Sequence, residues 1–161
     1  MTTARNNKLV GATGEYLVAA ELSRRRLIAT TFTGNVPHYD IIASDETGRH
    51  VSVQVKASRG PSWQFGNISL YCDITFNGKK QLVGEKKPCP VRRLMMVFVR
   101  IDEDGNDHFY ILPWMRFRDM LVAHHSRTSR STRASARRSG TPFIPPYWRR
   151  ISNHSETSGR P

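Results

Sequence analysis

The run His50-Val51-Ser52-Val53-Gln54-Val55-Lys56-Ala57-Ser58 alternates apolar and polar residues without a break, and no other stretch of the chain restricts its fold as tightly. Successive side chains in a strand point to opposite faces, so Val51, Val53 and Val55 turn toward a core. Ser52, Gln54 and Lys56 then share the other side, an amide next to an ammonium. Upstream, Tyr39-Asp40-Ile41-Ile42-Ala43 opens a second apolar run with a carboxylate, and Asp45-Glu46-Thr47-Gly48 between the two runs reads as a hairpin turn. The hairpin predicts Asp40 on a strand beside Gln54 and Lys56.

A carboxylate, an amide oxygen and a lysine on one sheet edge have a specific chemical use. Hard cations such as Mg2+ take oxygen ligands and keep several waters, and a nearby ammonium orients one water and offsets charge on a phosphate. The combination suits phosphodiester chemistry.

The chain has 161 residues, one domain's worth of core, and a formal net charge of +12. Such a balance favours an acidic partner, usually nucleic acid. The charge is uneven, however. Residues 1–125 carry 17 Lys and Arg against 12 Asp and Glu, so the body holds +5, whereas residues 126–161 carry 8 against 1 and add +7. Cys72 and Cys89 stand far apart with no secretory leader, which argues against a disulfide framework or a zinc cluster. The most apolar stretch, Leu94 to Val99, is too short for a bilayer. These features predict a soluble, cytoplasmic α/β protein without a membrane segment.

The periodicity predicts a helix over about 8–26, with Gly11, Glu15, Val18, Ala19 and Leu22 on one face, so that Glu15 looks inward toward the sheet or lies at the border of the stripe and reaches solvent. A strand over 27–32 follows, then the hairpin. Residues 60–91 read as irregular, with an edge strand at 68–71. Here Lys79, Lys80, Lys86 and Lys87 cluster near Trp63 and Phe65, read as exposed, and together they could grip a nucleic-acid backbone or form an ordinary solvated loop. A central strand over 93–101, an acidic turn, a returning strand over 108–112 and a helix opened by Pro113 complete the body. Its order is α-β-β-β-loop-β-β-α, a mixed sheet flanked by helices.

The segment from Ser126 onward contains no Leu, Val, Met or Lys, and all its basic residues are Arg. It is expected to build no core and to be largely disordered. An arginine-rich arm for nucleic acid and an out-of-frame reading of GC-rich coding DNA both account for it, and the second discounts the net charge as a functional signal.

The pattern resembles the PD-(D/E)xK nuclease superfamily, especially its Holliday-junction-resolvase-like and Mrr-like branches. The matching residues are Gly11-Ala12-Thr13-Gly14-Glu15 in the first helix, Tyr39-Asp40-Ile41-Ile42 in the second strand and Gln54-Val55-Lys56 in the third. The resemblance implies a restriction-endonuclease-like core and metal-dependent hydrolysis of DNA with Mg2+ or Mn2+ and no organic cofactor. Asp40, Gln54 and the Val55 carbonyl would bind the metal, Glu15 would contribute from the helix, and Lys56 would orient the attacking water. Many members act as dimers, so a homodimer is compatible with it. Gln54 departs from the usual Asp or Glu; an amide oxygen still coordinates Mg2+ but takes one negative charge from the site.

His38, two residues before Asp40, could touch a scissile phosphate or carry a proton, or simply mark a strand entrance. Two other functions stay open on the sequence: a non-catalytic nucleic-acid-binding module that kept the fold, and a protein-interaction domain of a mobile-element or defence system.

Overall fold

The computed structural model describes residues 3–131 apart from 33, 35, 64, 66 and 79. Helix α1 (Thr3–Arg24) leads into strands β1 (Ile28–Thr31), β2 (Ile41–Ser44) and β3 (His50–Ser58). A 3₁₀ turn (Ile68–Leu70) and the strands β4 (Cys72–Asn77) and β5 (Lys80–Lys86) come next. Strands β6 (Leu94–Arg100) and β7 (His108–Pro113) and helix α2 (Trp114–Ser131) finish the described chain. The expected α/β architecture and element order hold. No helix among the described residues is long and apolar enough to cross a membrane.

The main sheet has the order β1-β2-β3-β6-β7, antiparallel except for the parallel pair β3 and β6. A parallel pair needs a crossover rather than a tight turn, and the chain from 59 to 93 supplies it. The turn between β2 and β3 is the expected one. Asp45 accepts from Thr47 N at 2.9 Å, Thr47 Oγ1 at 2.7 Å and Arg49 Nε at 2.8 Å, and Gly48 takes φ +80°. Those bonds, the Thr47 hydroxyl foremost, hold the Asp45 carboxyl down to about 2.

Alternation along β3 divides the core into two layers. Val53 and Val55 pack with Val18, Ile41, Val97 and Val99 beneath α1. On the opposite face Phe98, Met96, Trp63, Tyr71, Trp114 and Phe117 form a second, ring-rich layer beneath α2.

The crossover differs from expectation. Residues 68–70 form a 3₁₀ turn capped by Asn67, whose Oδ1 accepts from Ser69 N at 3.1 Å, rather than an edge strand. Beyond it, β4 and β5 make a separate antiparallel hairpin that the irregular reading missed. Its signal was present: Asn77-Gly78 marks a hairpin in sequence, and with Asn77 paired to Lys80 the turn contains Gly78 at φ +58°. Helix α2 also runs past the boundary placed at 125, with Ser126 Oγ donating to the Val122 carbonyl at 2.8 Å. The rest of the segment read as a tail, 132–161, lies outside the described residues.

Candidate functional site

The site begins with a close helix-to-strand approach. Gly14 is buried on α1 where a Cβ would overlap the Ala57 Cβ of β3 and crowd the Val55 side chain. Only a glycine lets the helix backbone settle this near the strand. The next residue, Glu15, is thereby brought half-buried against the sheet.

Asp40 lies just ahead of β2, where the ladder with β3 ends. Its N–H donates to the Val53 carbonyl at 2.8 Å, and its Oδ2 accepts from Val55 N at 2.7 Å. The carboxylate thus takes the place of the next ladder carbonyl and sits in the gap that β2 leaves beside β3. Val55's own carbonyl leaves the strand on the same edge as its N–H, so it faces that gap as well. Ile41 pairs with Val53, so the register sets Asp40 level with Gln54.

Two charged groups act on a third near this gap. The Glu15 carboxyl is pushed above its usual range, first by burial and then by the negative charge of Asp40, while the Lys56 ammonium pulls it back down. Two carboxylates from different elements share one electrostatic environment with one lysine. Gln54 and Lys56 lie on the opposite face of β3 from Val53 and Val55, and both open into a cleft of about 390 Å³. His38 and Lys87 complete its polar lining, and Leu70, Tyr71, Pro88, Pro90 and Trp114 make its apolar wall. Lys56 also borders a second hollow of about 450 Å³, beside Ser58, Gly60 and Ser62.

The structure therefore brings Glu15, Asp40 and Lys56 into electrostatic reach and places Gln54 and His38 at the adjoining cleft. His38 is exposed and held at φ +75°, a left-handed conformation that turns the chain just before Asp40. The described lysines of the cluster are placed differently. Lys87 lines the cleft, but Lys86 pairs with Asp119 of α2, Nζ to Oδ1 at 3.1 Å. Lys80 lies on β5, and Lys79 falls outside the described residues.

Trp63 corrects the sequence reading. Expected at the surface, it is 7% exposed and packs edge-on against Phe98 and Tyr110, with ring centroids 5.6 and 5.7 Å away. Phe65 likewise leans on Phe98 and Phe117. The ring-rich layer claims both aromatics, since burying a large ring outweighs what it would gain in solvent.

Sequence reasoning missed the cleft's second wall and what fixes it. Lys87 N donates to the Tyr71 carbonyl at 2.9 Å, and the Lys87 carbonyl accepts from Arg118 Nη1 at 2.6 Å. Arg118 is 8% exposed, lies with its guanidinium 5.7 Å from the Trp114 ring centre and binds Asp119 through Nη2 at 2.8 Å. Nothing local in Lys87-Pro88-Cys89-Pro90 announces these contacts, because the partners lie on α2 and beside the 3₁₀ turn.

As for a metal, Glu15, Asp40, Gln54 and the Val55 carbonyl offer hard oxygen donors, and the Glu15 carboxyl, raised first by burial, is raised further by the charge of Asp40, which a cation would offset. Among the described residues no three His, Cys, Asp or Glu side chains converge. The donor set fits a hard divalent cation held by two carboxylates and an amide, with water filling the remaining positions.

No family model and no curated protein matches this chain. Among solved structures it is similar to a bacterial homing endonuclease at 18% sequence identity and a TM-score of 0.44, over 70% of this chain and 72% of that one.

Proposed function

We propose that the chain is a metal-dependent endonuclease that hydrolyses DNA phosphodiester bonds at the gap between β2 and β3. One observation carries this reading: Asp40 closes the end of the β2–β3 ladder through the Val55 N–H at 2.7 Å, level with Gln54, so a carboxylate and an amide stand at the strand end beside an open cleft lined by Lys56 and Lys87.

In this reading Lys56 Nζ donates to the attacking water and fixes its approach, while Lys56 and Lys87 offset charge on the phosphate. Water gains a bond to phosphorus and gives up a proton as the bond to the leaving oxygen breaks, and that oxygen takes a proton up. His38, at the lip of the cleft, donates a ring N–H to a phosphate oxygen. Asp40 serves twice, since one oxygen fixes the Val55 amide and the other stays available as a ligand. A divalent cation held by Glu15, Asp40, Gln54 and the Val55 carbonyl would stabilise charge on the phosphate and the leaving oxygen.

The test is cleavage of labelled linear, branched and single-stranded DNA by the full chain with Mg2+, Mn2+ or EDTA. Metal-dependent cutting is expected, reduced roughly 100-fold or more in both Asp40→Ala and Lys56→Ala. Cutting that survives both substitutions, or proceeds in EDTA, overturns the assignment.

A second reading has its own observation. Gln54 stands where a third carboxylate would complete an acid cluster, and among the described residues no such cluster forms. A binding module that kept this fold would hold DNA in a salt-sensitive way without divalent metal and would tolerate Lys56→Ala. Gln54→Glu separates the two, since a third charge strengthens metal-dependent cutting only if the gap is a metal site.

A further inference from the structure

We propose that the cleft beside Gln54 and Lys56 receives one unpaired nucleotide, which makes the substrate DNA with a single-stranded or splayed position rather than continuous duplex. This rests on the nuclease reading of the adjoining gap and specifies what that gap is given to cut.

Size sets the first limit. At about 390 Å³ the cleft lies toward the lower end of the roughly 300–1,000 Å³ range of small-ligand sites. That is room for one small group. Its polarity sets the second limit. Two ammonium groups, Lys56 and Lys87, and the exposed His38 line it, and none of its lining residues is Asp or Glu, so the occupant is anionic. Its remaining wall is apolar, with Leu70 62% exposed beside Pro88 and Pro90. A nucleotide fits both demands at once: phosphate toward the lysines, base against the leucine and prolines. A bare phosphate would leave the apolar wall unused, and an apolar ligand would leave both lysines without a partner.

The wall is also built to stay in place. The Lys87 backbone is fixed on one side through the Tyr71 carbonyl and on the other through Arg118, a buried cation whose Nη1 is committed to the Lys87 carbonyl at 2.6 Å. Pro88 and Pro90 stiffen the chain just beyond it. A lip anchored in this way enters binding with little ordering left to lose.

A base can reach such a cleft only after leaving its stack. Extrusion costs least where pairing is already lost, which gives a preference for single-stranded, flapped or forked DNA without any reading of sequence.

The test uses the full chain with Mg2+ and three short DNAs: a blunt duplex, the same duplex with an unpaired thymidine at its end, and that DNA with the base removed to leave an abasic residue. Binding and cutting are measured on all three. The unpaired thymidine is expected to bind roughly tenfold tighter than blunt duplex, with the abasic form between them. Leu70→Ala should bring the thymidine substrate down to the abasic level, and Lys87→Ala should weaken both unpaired substrates together. Equal affinity for all three DNAs in the wild-type protein overturns the inference even where cutting is robust, and the nuclease assignment then stands alone. The graded preference without cutting in any metal leaves the cleft in place and removes the nuclease assignment.

Discussion

The two faces of the sheet are packed by different means. Beneath α1 the layer is aliphatic apart from Phe109, and it is thin at Gly14, where a methyl would overlap the Ala57 side chain of β3. Beneath α2 the layer is aromatic and thick. Rings of Trp63, Phe65, Phe98 and Phe117 meet edge-on or tilted at centroid distances of 4.9 to 5.7 Å. The difference assigns a task to each face. Close approach delivers a carboxylate from a helix to the end of a ladder, while bulk holds a helix and a hairpin away from the sheet and leaves a hollow beside the same strand.

The thick layer is the easier one to break. Phe98 is fully buried with three rings upon it, and Phe98→Ala is expected to cost about 3–5 kcal/mol in urea unfolding. A loss below about 1 kcal/mol would show that the rings collapse into the space, and would end the argument that they prop the cleft open.

A smaller change tests the thin layer. Gly14→Ala gains about 1 kcal/mol of helix propensity, yet its methyl must push α1 away from Ala57 at about 1–3 kcal/mol, so a net loss is expected. Cleavage should fall further than stability, because Glu15 moves with the helix. Adding Ala57→Gly should restore both, and failure of that double variant to recover activity would disconnect the close approach from the site.

The smallest effect is electrostatic. The Glu15 carboxyl is raised from its ordinary 4.5 by burial first and by Asp40 second, so the folded chain binds that proton more tightly than the unfolded one. Its contribution to stability is therefore full below pH 4.5 and lost as the pH rises through the raised value. Glu15→Gln is expected to melt higher than wild type at pH 7, with the gap closing at pH 4. A gap that does not change with pH would mean that the fold does not raise the Glu15 carboxyl.

Much of the thin face was legible in the chain. Alternation over 50–58, the acidic turn before it and the helical stripe through Glu15 are local patterns, and each maps onto one element. Even the glycine that permits the close approach sat inside the motif used for the resemblance. The thick face was read less well because its determinants are not local. Trp63 looks like a surface aromatic beside Gly60 and Pro61 until β7 is placed over it, and Lys87 looks like one of four equivalent lysines until Arg118 is seen to hold its backbone. Lys86 shows the same limit, since its partner Asp119 lies more than thirty residues away on α2. The hairpin is a different case: Asn77-Gly78 announced it, but the charged residues around it masked the short strands.

The strand order also limits how two copies of this chain could stand on one piece of DNA. With the order β1-β2-β3-β6-β7, β3 is the middle strand, and each edge of the sheet lies two strands away from it. At about 4.8 Å between neighbouring strands, joining two copies through either edge would set their β3 strands roughly 24 Å apart. Both edges give the same separation, a symmetry that no choice of edge escapes. Bringing two β3 strands closer than that would need contact through helices or loops rather than through β1 or β7.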